Sequence, residues 1–264
     1  MNSTLALAKA DYEKEVGYFL GYGRGAGDGD SEWTADQQII ITADVKSGLR
    51  RWYYCGHPWS FLKPFAAIAI PEGATTVELP DDFGGIDGGT TANLTNSSNS
   101  FLARLQFKNP GKVLQALSEA TAATGPTRII SIRPVKALKP GKMQTQELYF
   151  FPEADQDYTL TFPYFVTPNY LLDHTPYAYG GVEHHEAILE SCLAVAEARR
   201  DNAMNVHSAE FKRLLQLSVE IDRRKQPTNL GQNRDTSDGV GFDQWNGHGW
   251  QATGGVTIND VYYE

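Results

Sequence analysis

The sequence predicts an α+β fold, in which a helical bundle formed by N- and C-terminal helices carries an inserted, mainly antiparallel β-domain. Two changes of period carry this prediction: helical spacing of apolar residues gives way to alternation near Pro58, and it returns near Gly181. No period continues after Pro227, which predicts an extended C-terminal arm. The predicted boundaries are 1–56 and 176–226 for the bundle, 57–175 for the β-domain and 227–264 for a flexible C-terminal arm.

Length, composition and charge restrict the class of protein. The 264 residues can bury a full core, and 41% hydrophobic with 21% charged residues is ordinary for a globular protein. A formal net charge of −9 argues against binding to nucleic acid through phosphate neutralisation. No apolar run approaches the ~20 residues that a membrane span needs, so we expect a protein made in a reducing cytoplasm.

Four helices are predicted for the bundle, at residues 4–20, 34–55, 182–202 and 208–225. Thr34 is the expected N-cap of the second helix, with Gln37 completing a capping box. Ser208 is the expected N-cap of the last helix. Apolar residues cover most of the third helix and leave a narrow polar seam, which predicts that other elements pack around it.

Between the helices, alternation predicts six strands, at residues 65–70, 75–79, 101–107, 128–133, 145–151 and 158–165. Pro110, at the first helical position, predicts one short helix that continues through residues 112–123. Residues 84–100 are rich in glycine, threonine, asparagine and serine, and are therefore predicted to form a long exposed loop.

The most conspicuous polar cluster is His184, His185 and Glu186. A zinc-protease helix needs two histidines four positions apart, and Ile188 stands where the second would lie. Solvated residues at a helix N-terminus are therefore the favoured interpretation. His57 is interpreted as a turn residue, because no partner lies at metal-ligand spacing.

Residues 21–30 (GYGRGAGDGD) favour a flexible connector. A phosphate-binding loop would follow a strand, whereas this segment follows a predicted helix. A calcium loop would use Asp28, Asp30 and Glu32, but Trp33 stands where that loop needs glycine.

The remaining polar residues have ordinary interpretations. Asp81 and Asp82 follow a strand and a proline, as turn residues do. Cys55 and Cys192 lie in predicted helices far apart in sequence, and two unpaired thiols are favoured over a disulfide. Seven basic residues have two possible interpretations, as a basic patch or as solvated residues near helix ends. They are Arg199, Arg200, Lys212, Arg213, Arg223, Arg224 and Lys225. The sequence therefore predicts no catalytic, cofactor or metal site, and no enzyme.

Large aromatic residues distinguish the C-terminal arm from an inert linker. The arm is rich in Gly, Asn, Asp and Thr, a composition that predicts disorder in isolation. Its aromatic residues predict that it becomes ordered on a partner, and they are Phe242, Trp245, Trp250, Tyr262 and Tyr263.

The order of these elements, with several short segments, resembles the head-to-tail adaptor (connector, or head-completion) proteins of tailed bacteriophages. The resemblance covers about residues 33–231 and lies in the order and spacing of its segments rather than in one motif. These segments are 48–53 (GLRRWY), 59–64 (WSFLKP), 79–84 (LPDDFG), 147–152 (ELYFFP), 158–162 (YTLTF), 176–177 (PY), 180–181 (GG) and 186–190 (EAILE).

The resemblance implies a structural virion protein without catalytic residues. It implies a closed, usually dodecameric ring in the neck between capsid and tail, beneath the portal. The implied partners are further copies of the chain, the portal protein, and the tail tube, tail-terminator or nozzle proteins, with DNA passing through the channel unbound. The aromatic residues of the arm are then expected to dock on the portal.

Three alternatives remain at this point. One is another structural or receptor-binding component of a phage neck or tail. A second is an enzyme of unrecognised type with residues 57–165 as its substrate domain. A third is a β-rich glycan-binding module, which the aromatic residues alone suggest.

Overall fold

Five α-helices and several antiparallel strands occur among the residues that the computed structural model describes, which confirms the α+β class. The described residues are 4–25, 31–86, 91–96, 98, 100–120, 123–135, 144–201, 206–225, 256–258 and 261–263. The chain divides into two units, Met1–Pro227 and Thr228–Glu264, and each is described by itself.

Each predicted helix is present, with its ends shifted by a few residues. Thr34 and Gln37 form the predicted capping box: Thr34 Oγ1 accepts from the Gln37 N–H at 3.3 Å, and Gln37 Oε1 accepts from the Thr34 N–H at 2.9 Å. The helices are α1 (Lys9–Phe19), α2 (Ala35–Tyr53), α3 (Pro110–Glu119), α4 (His185–Asp201) and α5 (Val206–Lys225).

The prediction that Ser208 caps the last helix is wrong. Helix α5 begins at Val206, and Ser208 lies within its first turn. The Ser208 N–H donates to Glu197 Oε2 of α4 at 3.2 Å. Because a carboxylate of the preceding helix accepts from this first-turn N–H, the helix can begin before the serine.

Helices α2 and α4 make the central contact of the helical region, with α1 against both and α5 against α4. Gly48 of α2 lies at the crossing, where its carbonyl accepts a hydrogen bond from Ser191 Oγ at 2.8 Å. The missing side chain lets the two backbones approach closely. The helical core around this contact includes Tyr12, Val16, Ile41, Val45, Leu49, Trp52, Trp59, Ile188, Cys192, Ala196 and Phe211.

All six predicted strands are present. The longest of them, β8 (Tyr158–Val166), has partner strands on both sides, and every second residue along it is buried. The strands of the first unit are β1 (Phe65–Ile70), β2 (Thr76–Glu78), β3 (Phe83–Ile86), β4 (Thr91–Asn96), β5 (Phe101–Gln106), β6 (Ile129–Pro134), β7 (Gln146–Phe151) and β8 (Tyr158–Val166).

The predicted exposed loop at residues 84–100 is wrong for most of its described length, because β3 and β4 lie within it. Both strands pair with β8, Phe83 opposite Val166 and Leu94 opposite Leu160. Ala92 and Leu94 are fully buried. Pairing with a long neighbouring strand has overridden the weak strand propensity of this glycine- and asparagine-rich segment.

Two antiparallel sheets share a second hydrophobic core. The larger sheet has the order β1-β8-β4-β5, with β3 also paired to β8, and the smaller sheet has the order β2-β7-β6. The core between them includes Ile68, Ile70, Leu94, Leu105, Ile130, Leu148, Phe150, Leu160 and Phe162.

The second unit contains two short antiparallel strands among its described residues. Strands β9 (Val256–Ile258) and β10 (Val261–Tyr263) pair with Val261 opposite Ile258. The prediction of no regular structure after Pro227 is therefore wrong for these six residues.

Candidate interaction surfaces

His184 and His185 are buried, so the prediction that they are solvated is wrong. His184 is fully buried among Trp52, Trp59 and Phe61, with ring-centroid distances of 5.7, 5.6 and 5.5 Å. Neither of its ring nitrogens has a hydrogen-bond partner among the described residues. Burial lowers the pKa of His184, with Lys225 contributing in the same direction. This histidine therefore favours the neutral form.

His185 is held neutral by a different contact. Its Nδ1 accepts a hydrogen bond from the Leu7 N–H at 2.6 Å. Because a backbone N–H can only donate, Nδ1 must be unprotonated and the ring proton must be on Nε2. Burial lowers the pKa of His185 as well. The contact joins the segment before α1 to the start of α4, which is a structural role.

His57 is more than a turn residue. Its Nε2 lies 2.7 Å from Oδ2 of Asp222, a carboxylate of α5 that is almost fully buried. Asp222 also accepts from the backbone N–H of Ser60, at 3.2 Å, and from the Ser60 hydroxyl. Helix α5 thereby fixes the segment that leads from α2 to β1.

Other predicted features of the first unit also have structural roles. Asp82 lies in the predicted turn, where its carbonyl accepts from the Thr167 N–H at 2.7 Å. Both cysteines are free thiols, as predicted, although Cys55 follows α2 rather than lying in it. Burial raises the pKa of the Cys192 thiol.

The glycine-rich segment is described through residue 25. Trp33 packs against its end, and the indole Nε1 donates to the Gly23 carbonyl at 3.1 Å. Asp28 and Asp30 lie outside the described residues. No group of three or more metal-ligating side chains occurs in the described part of the chain.

The basic residues near the helix ends contact groups of the same chain. Arg199 binds the buried carboxylate of Asp44, and its other terminal nitrogen donates to Ser47 Oγ at 2.9 Å. Arg200 donates to the Phe19 carbonyl at 2.7 Å. Arg213 and Arg224 pair with carboxylates of α5, and Lys225 pairs with a carboxylate of the turn before α4. These contacts favour helix-end residues over a nucleic-acid patch.

A groove of about 450 Å³ lies on the helical region, lined by α2, α4 and the segment that follows α1. Ile39 and Ile40 are 65% and 42% exposed along it, and Arg199 and Arg200 border it. Neighbouring exposed apolar residues beside charged ones are a common feature of surfaces that contact another protein.

A second apolar surface lies at strand β1, which forms one edge of the larger sheet. This strand pairs with β8 alone among the described strands, and Phe65 is 74% exposed. Sequence reasoning did not identify this surface. The available signal was a run of six uncharged residues, FAAIAI, between Pro64 and Pro71.

The predicted docking arm lies almost entirely outside the described residues. Phe242, Trp245 and Trp250 belong to that part of the chain, whereas Tyr262 and Tyr263 lie in β10. The docking role of all five residues therefore stays a prediction.

Comparison with family models and with curated proteins gave no match for this chain. Among the described helices, none is long and apolar enough to cross a bilayer. The fold, the exposed surfaces and the resemblance of the quoted segments are therefore the features that bear on the function of the chain.

Proposed function

We propose that this chain is a structural virion protein, a head-to-tail adaptor that forms a ring beneath the portal, joins the capsid to the tail and lets DNA pass. The observation that carries the proposal is the order of elements. Helices α1 and α2 precede the strands, α4 and α5 follow them, and residues from both ends of the first unit share one hydrophobic core. This is the organisation that the resemblance implies: a bundle of N- and C-terminal helices with an inserted β-domain.

The chemistry of the first unit supports a structural role over an enzymatic one. The buried polar groups His185, Asp222 and Glu197 each bond to backbone N–H groups of another segment. Such contacts fix elements relative to one another. The net charge of −9 suits a protein around a channel through which DNA must slide without binding.

The proposed ring is a dodecamer in the neck of the virion, assembled from chains made in the host cytoplasm. A ring needs one surface of each copy to fit a different surface of the next. The groove bordered by Ile39 and Ile40 and the edge of β1 are two exposed apolar surfaces available for contacts with other copies, with the portal, or with tail tube, tail-terminator or nozzle proteins.

The ring is tested by electron microscopy of the protein mixed with portal-containing capsids. We expect a closed ring of added density at the portal vertex and none on capsids that lack the portal. The isolated protein is expected to remain monomeric in some conditions, because rings of this kind can require a template. Density at a tail tip instead would favour a receptor-binding component, and a single copy per virion would contradict the ring.

The C-terminal arm is expected to dock on the portal. Burial of one aromatic side chain in a partner contributes on the order of 2 kcal/mol, so several together can offset the cost of ordering the arm. Repetition around a ring raises the effective concentration of each remaining arm once the first has bound.

Deletion of residues 228–264 tests the arm. This truncation removes the whole second unit and leaves Met1–Pro227 intact. We expect recruitment to portal-containing capsids, measured by co-sedimentation, to fall by roughly a hundredfold or more. A matched full-length variant, with Phe242, Trp245 and Trp250 changed to alanine, keeps the length of the arm but removes these aromatic side chains. It therefore distinguishes the effect of aromatic contacts from the effect of arm length. Undiminished recruitment of the truncated protein, with an unchanged melting temperature, would show that the arm is not the anchor.

A further inference from the structure

The outer edge of β1 lacks the features that normally keep sheet edges from pairing with other chains. Natural edge strands are protected by charged residues, prolines or bulges. The six residues of β1 contain none of these, and its pairing with β8 is regular from Phe65 to Ile70. With Phe65 74% exposed, this edge favours pairing with another strand.

Hydrogen bonding within the sheet determines which groups of β1 are available. The Tyr164 N–H of β8 donates to the Pro64 carbonyl at 3.1 Å. In an antiparallel pair, successive residues face alternately toward and away from the partner strand. Ala66, Ile68 and Ile70 therefore bond to β8. The N–H and C=O groups of Phe65, Ala67 and Ala69 face the free edge, and their side chains are exposed.

Strand β5 forms the opposite edge of the same sheet. It pairs with β4, and a register shift leaves Leu102 as an extra residue of β5. This bulge and the charge of Arg104 restrict β5 to a partner strand that brings no charge of its own, as β1 does. Phe101 and Leu102 are 62% and 42% exposed. After β5 the chain joins the smaller sheet, since the Lys108 N–H donates to the carbonyl of Ile130 in β6 at 2.8 Å. The exposed apolar part of this edge therefore lies at the start of β5.

We propose that β1 of one copy pairs with β5 of the next, so that the larger sheet continues from subunit to subunit; this inference rests on the proposed ring. In the order β1-β8-β4-β5 every neighbouring pair is antiparallel, so β1 and β5 run in opposite directions. A copy placed beside β5 in the same orientation presents its β1 antiparallel to it. The contact joins two different edges, as a closed ring requires.

The side chains of the two edges are compatible in this arrangement. Opposed residues of an antiparallel pair share one face of the sheet. Ala67 and Ala69 are small and exposed, and the larger Leu102 and Arg104 are exposed on β5. Neither edge brings a like charge against the other, since Arg104 is the sole charged residue of the two strands.

Site-directed cross-linking tests this pairing in assembled rings. The background variant is Cys55→Ser, with Cys192 retained because it is fully buried. Rings on portal-containing capsids carrying both Ala67→Cys and Leu102→Cys are expected to give a ladder of covalent multimers with a short bismaleimide. Ala67→Cys alone is expected to give none, and dimers from this single variant would indicate a two-fold β1–β1 contact and overturn the proposal. Ala67→Cys with Lys212→Cys on helix α5 is the matched control and should give no ladder.

A proline variant tests the main-chain bonds without disturbing the subunit. Proline at position 67 removes an N–H that faces the free edge, and prolines are tolerated at such edge positions. We expect Ala67→Pro to keep the melting temperature of the monomer and to lower ring assembly by roughly tenfold or more, whereas Ala67→Ser assembles normally. Normal rings that neither cross-link nor respond to Ala67→Pro would overturn the β1–β5 contact and leave the adaptor function standing. Failure of the unaltered protein to form any ring on portal-containing capsids would overturn both.

Discussion

Replacement of Gly48 by alanine is expected to destabilise the first unit by several kcal/mol. A Cβ atom at this position would lie 2.5 Å from Cys192 Cα, 2.7 Å from Cys192 N and 2.6 Å from Cys192 Sγ. Two of these atoms belong to the backbone of α4, so the clash cannot be relieved by a change of rotamer. The helices must move apart, which opens the helical core where α2 crosses α4.

Helix propensity predicts a change of the opposite sign for Gly48→Ala. At an exposed helical position, alanine is more favourable than glycine by about 1 kcal/mol, so helix propensity alone predicts stabilisation. Urea unfolding followed by circular dichroism distinguishes the two. Arg50→Ala, on the exposed side of the same helix, is the control and should change the free energy of unfolding by less than about 1 kcal/mol.

A second substitution tests the geometry directly. Cys192→Ala in the Gly48→Ala background removes the sulfur but leaves Cα and N of residue 192 in place. We therefore expect incomplete rescue of stability. Full rescue would mean that the side chain alone caused the clash, and an unchanged or raised stability of Gly48→Ala itself would mean that α2 and α4 lie farther apart.

Elements in which apolar residues recur at a regular spacing were predictable from the sequence. Strand β8 alternates along nine residues, and strand β1 was predicted with its observed ends. Strands β3 and β4 were missed because their glycines and asparagines disfavour strands. Leu94 is buried because it lies opposite Leu160, 66 positions later in the chain, and no local pattern contains that pairing.

The environment of the polar residues was less predictable, for the same reason. His184 and His185 begin a helix, a position that is usually solvated. The burial of His184 depends on Trp52, Trp59 and Phe61, which come from the end of α2 and the segment after it. His185 instead lies against Tyr12 of α1. Likewise, His57 finds its carboxylate in Asp222, 165 positions away. Sequence spacing can exclude a metal motif, but it cannot identify a partner brought close by tertiary packing.

Acid is expected to destabilise the first unit through these two buried histidines. Burial lowers the pKa of both, and for His184 it outweighs the opposing effects of Glu183 and Asp222. The unfolded chain therefore binds protons at an ordinary histidine pKa of about 6.5, while the folded protein binds them at lower pH. Stability from this source is fully present above about pH 6.5 and is lost as pH falls toward the folded-state pKa values.

Each histidine is expected to lower the free energy of unfolding by at most about 1.4 kcal/mol per pH unit within that window, so both together lower it by at most about 3 kcal/mol per unit. The physical causes differ. Protonated His184 would place a charge among three aromatic rings without a hydrogen-bond acceptor, and protonated His185 would lose the bond from the Leu7 N–H.

Urea unfolding at pH 7.5, 6.5 and 5.5 measures these slopes, and His184→Phe separates the two contributions. Phenylalanine keeps an aromatic ring among Trp52, Trp59 and Phe61 but cannot take up a proton. We therefore expect stability near that of the unaltered protein at pH 7.5 and a slope about half as steep below pH 6.5. His174→Gln, at an exposed histidine, is the matched control and should keep the full slope. If His184→Phe and the unaltered protein lose stability equally on acidification, protonation of His184 does not contribute to the acid sensitivity.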